Sequence, residues 1–160
     1  MQKHFRRMAT CIAATGLLIA MPAQAGVMGS AGASQAEKLR KLDIMLMVTG
    51  LRCRTTESNF TADFAAFEAA HMADLNAAST AMRDSMVPRF GISGANRALD
   101  RISTSMANQY GTGHPWLNCA DLKQVTRSLA RMQGPQALVE AADQILSEVG
   151  STSHLAWARR

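Results

Sequence analysis

Aromatic residues are scarce in this chain: five Phe, two Trp and one Tyr among 160 residues. Long runs rich in Val, Ile, Tyr or Thr are absent, and these are the residues that suit a pleated, half-buried sheet. A sheet-built domain is therefore not expected. Cysteine is scarcer still, with three. The spacings that mark several chemistries are also missing. No Gly-x-Gly-x-x-Gly follows a strand, so a dinucleotide site is not expected. No Cys-x-x-Cys-His offers haem attachment. No Gly-x-Ser-x-Gly presents a serine nucleophile.

Good helix formers are plentiful, with many Ala and Met among them. The fold class expected is all-α, and the length suits one domain with one core. The net charge of +5 invites a nucleic-acid reading, so its location matters. Lys3, Arg6 and Arg7 lie ahead of an apolar stretch at the N-terminus. Without these three, 14 basic residues face 12 acidic ones, a net of +2. That near balance implies no nucleic-acid partner, which would need a clustered basic face.

Residues 1–25 have the three parts of a secretory signal peptide. The three basic residues form its n-region, and Met8 to Met21 is mostly small and apolar. Ala23-Gln24-Ala25 is a small-x-small cleavage site, so the mature chain is expected to start at Gly26. The apolar run is short for a bilayer span, and no second one follows, so no transmembrane segment is expected after cleavage. Cys11 sits inside the apolar run rather than at the cleavage point, which argues against lipidation. The expected location is periplasmic or secreted, an oxidising setting.

The rest is expected to divide into a flexible lead-in at 26–33, a helical domain at 34–150 and a tail at 151–160. Ser34-Gln-Ala-Glu37 reads as a capping box opening helix A, about Gln35 to Arg54, with Leu42, Leu46 and Cys53 on one face. Helix B carries a stripe of Phe60, Phe64, Phe67, His71, Leu75, Ala78 and Met82 at alternating steps of four and three. Pro88 and Gly91 are expected to end it. Ser93 would cap helix C, with Ala95, Leu99, Ile102 and Met106 inward. Helix D starts either at Pro115 with His114 as cap, or after Asn118 with Asp121 three residues on. It turns Cys119, Leu122, Val125, Leu129 and Met132 one way. Pro135 opens helix E, with Leu138, Ala142, Ile145 and Val149 inward, and Gly150 is a plausible end.

Short loops joining these segments predict an up-down bundle of four main helices with a C-terminal fifth. Such a bundle puts the end of helix A beside the start of helix D. Cys53 and Cys119 are therefore expected to form a disulfide, closing a loop of about 67 residues. The stretches Leu39 to Thr56, Ala98 to Thr104 and Met106 to Cys119 resemble a small family of uncharacterised secreted proteins from Gram-negative bacteria. Members of that group sometimes carry an adenosylhomocysteine hydrolase label. Nothing in this sequence supports the label, since that large enzyme needs NAD and a βαβ pattern.

No catalytic, cofactor-binding or metal-binding residue is assigned. Glu68-x-x-His71 with Asp74 occurs once, whereas a bundle metal site needs a second copy on a facing helix. Met45-Leu-Met47 offers thioethers for Cu(I), but neighbouring helix positions face apart. Tyr110, His114 and Trp116, beside Gly111 and Gly113, form the candidate binding surface, because loops carry function more often than helix faces. The function expected is a non-catalytic binding or envelope-stress role, with an unknown protein, peptide or small ligand as partner. Its mark would be an exposed apolar patch beside a bundle end. The alternative is a small periplasmic enzyme or metal-binding protein using His71 or His114. A third reading, binding to an acidic partner or a membrane surface, needs the arginines on one face.

Overall fold

The computed structural model describes residues 25–147, with side chains from residue 32 onward. Residues 1–24 of the leader, Val149, Gly150 and the 151–160 tail lie outside the described residues. Among the described residues the chain is all-helical: α1 (Ala25–Cys53), α2 (Thr61–Gln109), α3 (Cys119–Leu129) and α4 (Pro135–Leu146).

One boundary differs from the sequence expectation. α1 starts at Ala25, so residues 26–33 continue the helix instead of forming a flexible lead-in. The Ser34 capping box falls inside it. The stretch contains no proline, and its alanines favour helix, so nothing in it forces a start at Ser34. The expected helices B and C are the two halves of α2, which spans 49 residues with a break at the Gly91 where helix B is expected to end. Only Gly91 leaves the helical region there, at φ 65° and ψ 172°, with Pro88 three residues before it.

That single break turns the chain around. In a straight helix Asn76 and Ser103 would stand about 40 Å apart, at ~1.5 Å per residue. Yet the Arg40 guanidinium donates to Ser103 Oγ at 3.3 Å. The same arginine lines a hollow with Asn76. Both halves of α2 therefore pack against α1, and the chain folds back at Gly91. The conformation is one that essentially only glycine populates. Three residues on, a Cβ on Gly94 would stand 2.8 Å from the Phe90 Cβ, so the return path also passes too close for a side chain.

The other ends are set by local chemistry. Asn59 Oδ1 accepts from the Thr61 N–H at 2.9 Å and from its hydroxyl, which starts α2 where the N-cap residue Phe60 has no side-chain oxygen. Of the two candidate starts for α3, Asn118 is the one used. Its side chain accepts from Ala120 and Asp121, and Asp121 accepts from the Asn118 N–H, a full capping box. Pro135 opens α4 as expected.

The core runs through all four helices. Leu42, Leu46, Phe60, Phe67, Leu122, Leu129, Leu138 and Ile145 are buried. Burial of one such side chain contributes roughly 1.5–3 kcal/mol. The two buried threonines are satisfied within their own helices: Thr49 donates to the Met45 carbonyl and Thr126 to the Leu122 carbonyl, each at 2.7 Å. A 2.6 Å ion pair between Lys38 and Asp143 ties α4 to α1. Cys53 and Cys119 are bridged, with Cα atoms 5.8 Å apart, joining the last residue of α1 to the first of α3.

Candidate functional site

The turn between α2 and α3 holds the three residues singled out as a binding surface, and it brings them together as a stack. The Tyr110 ring lies near-parallel to His114 at 5.9 Å, and Trp116 meets His114 edge-on at 4.6 Å. Tyr110 is buried and Trp116 half-buried. Both nitrogens of His114 are occupied. Nε2–H donates to the Ile145 carbonyl at 3.2 Å, and Nδ1 accepts from the backbone N–H of Leu117 at 3.2 Å and of Trp116 at 3.4 Å. That pattern needs a neutral ring. Burial lowers the His114 pKa to about 4, only partly opposed by the Ile145 carbonyl. The expected cap of helix D thus caps its own turn and fastens it to the end of α4.

His71 is likewise used by the fold. It is buried, its Nε2–H donates to the Leu129 carbonyl at 2.8 Å, and its ring packs 5.3 Å from Phe67. Leu129 is the last residue of α3, so its carbonyl has no partner within that helix. Asp74 stands 3.8 Å from the other ring nitrogen. Glu68 faces elsewhere, into the hollow beside Arg40. Among the described residues no three His, Cys, Asp or Glu side chains converge in a way that could hold a metal ion. Met45 is fully buried while Met47 is exposed, so their sulfurs do not converge.

The hollow between α1 and the first half of α2 was not singled out by sequence. It measures about 420 Å³ and is lined by Arg40, Asp43, Glu68, Met72, Leu75, Asn76 and Ser79. Burial raises the Asp43 pKa, Arg40 opposes that from 3.3 Å, and Glu68 adds to it. The arginine is committed twice, to Asp43 and to Ser103. The helical spacing of residues 40 and 43 could have paired Arg40 with Asp43, but only the fold brings Glu68 alongside.

The fourth feature is the fold-back itself. Residues 88–93 are all exposed, and they include Phe90 at 44% and Ile92 at 72%. Nothing lies within 4 Å of where a Gly91 Cβ would be. The Arg89 guanidinium sits over the Phe90 ring, 5.0 Å from its centroid. Met47, Leu51 and Met72 are also exposed: Met47 and Met72 lie along helices, and Leu51 stands singly in the last turn of α1, beside the Cys53–Cys119 bridge. Comparison with family models, with curated proteins and with solved structures finds no match to the chain. No helix among the described residues is long and apolar enough to cross a membrane.

Proposed function

We propose that this is an exported, non-catalytic interaction protein of the Gram-negative envelope that makes contact through the Phe90–Ile92 fold-back. On this reading the leader is cleaved after Ala25, the mature chain works in the periplasm or outside the cell, and it belongs with the secreted proteins it resembles. Its helical segments run up-down-up-down, with α4 as the fifth. The Cys53–Cys119 bridge, which ties the end of α1 to the start of α3, supports that arrangement and an oxidising location.

The observation that carries the reading is a division of labour. The two histidines that could have served an enzyme or a metal are held by main-chain carbonyls in the protein's own packing. Two large apolar side chains, Phe90 and Ile92, stand exposed on either side of Gly91 at the fold-back, where they contribute little to the core. Use of His114 by an enzyme or a metal would first have to break hydrogen bonds at both of its ring nitrogens, and the Nδ1 of His71 faces Asp74 alone, without the third group a metal ion would need among the described residues.

Site-specific photo-crosslinking in living cells tests this. A photoreactive residue replacing Ile92 should give crosslinked adducts, to protein or to lipid, while the same residue replacing Glu57 on the opposite connector should give none. Equal absence of adducts at both positions would refute the reading.

A further inference from the structure

We infer that the Gly91 fold-back is an interfacial anchor that seats Phe90 and Ile92 in an anionic lipid surface. This rests on the fold-back being the contact surface, and it adds what that surface touches. Three observations favour lipid over a protein groove. First, the apolar side chains lie in six consecutive exposed residues of a chain reversal, Pro88 to Ser93. A protruding tip of this kind enters a soft surface and has no walls to hold a partner's side chain. Second, the local charge is of one sign. Between Asp84 and Asp100 there is no carboxylate, while Arg89 and Arg97 are present and exposed. Arg83, just outside that interval, is neutralised by Asp84 at 2.7 Å. Third, the spacing matches a membrane interface. Arg97 follows Ile92 by five residues, about 8 Å of helix. With Ile92 at the boundary between headgroups and acyl chains, that places the guanidinium among the phosphates, a layer roughly 5–8 Å deep.

The geometry at the tip fits the same use. Gly91 and Gly94 hold the reversal tight, so Phe90 and Ile92 are presented without a long mobile loop to order on binding. Arg89, stacked on Phe90, can follow its ring to the interface and keep its charge at the phosphate level. The anchor is shallow. With two apolar side chains and two arginines, binding should be reversible, dependent on anionic lipid and weakened by salt.

The test is co-sedimentation of the full oxidised mature protein with vesicles. Phosphatidylglycerol–phosphatidylcholine vesicles should bind it at least tenfold more than pure phosphatidylcholine, and added salt should erase the difference. The double variant F90S/I92S should bind at least tenfold less at unchanged helicity, and R89Q/R97Q should lose roughly tenfold on the anionic vesicles alone. If a variant fails to fold, hydrogen exchange on the wild type decides, with vesicles slowing exchange at residues 88–93 and not at 110–119. No vesicle binding, or binding indifferent to lipid charge and to F90S/I92S, would overturn the inference. Crosslinks from position 92 to protein, without vesicle binding, would overturn it too while leaving the interaction reading intact. The absence of both would remove the two together.

Discussion

The two ends of the helical body are built in opposite ways. At one end the chain passes from α1 to α2 and from α2 to α3, and both connections are tied down there, although Leu51 is exposed. Cys53 is bonded to Cys119, Phe60 is fully buried, and His114 fastens the second connection to α4. At the other end α2 folds back through Gly91, with no cross-link and with Phe90 and Ile92 bare. Phe60 and Phe90 are the same residue type, each beside a chain reversal. One is part of what holds the molecule together, and the other is free to hold something else. Where the backbone turns, not how apolar the residue is, decides which.

The comparison can be broken at either end. The largest effect should follow removal of the cross-link. Cys53→Ser with Cys119→Ser opens a loop with a sequence separation of 66. In the chain-entropy account that costs about 4 kcal/mol, readable as a lower urea midpoint. Next comes acid. His114 is neutral in the fold with a pKa of about 4, below its ordinary 6.5, so the unfolded chain binds more protons between those values. Stability should therefore fall as pH drops from about 6.5 to about 4, by ~1–2 kcal/mol once solvent screening of the partly exposed ring is allowed for, and His114→Gln should flatten that slope. The raised Asp43 acts with the opposite sign, because ionising it in its buried place is disfavoured, so it cannot produce the loss.

The exposed end should respond to its backbone and not to its side chains. Gly91→Ala meets no atom, yet it must adopt a conformation reserved for glycine, for about 1–3 kcal/mol in a thermal or urea melt. F90S/I92S should change stability by no more than ~0.5 kcal/mol. A loss of several kcal/mol there would mean that the two residues belong to the core after all.

Much of the body was legible in the sequence, for reasons that can be named. The helix B stripe gave the core through Phe60, Phe67, Ala78 and Met82, because a period of 3.6 allows few other arrangements. The cysteine pairing was legible because, with Cys11 set aside in the segment expected to be a leader, only Cys53 and Cys119 were left to pair. Pro88 and Gly91 marked a break, but sequence could not say that one residue would suffice for it, since that depends on Gly94 passing under Phe90. The start of α1 was misplaced because a capping pattern is local, and a helix can run through it. For the sites, sequence brought Tyr110, His114 and Trp116 together correctly as a cluster, yet their burial follows from the end of α4 lying against them. The Arg40–Asp43–Glu68 hollow and the bare tip needed the packing of distant segments, which no local pattern encodes.

Oxidative footprinting, comparing the purified protein with the same protein in intact cells, tests the contrast between the two ends most directly. Phe90 and Ile92 should be readily oxidised in the purified state and protected in the cells, with the buried Tyr110 protected in both and the half-buried Trp116 oxidised to the same extent in both. Oxidation of Phe90 and Ile92 to the same extent in both settings would contradict the account.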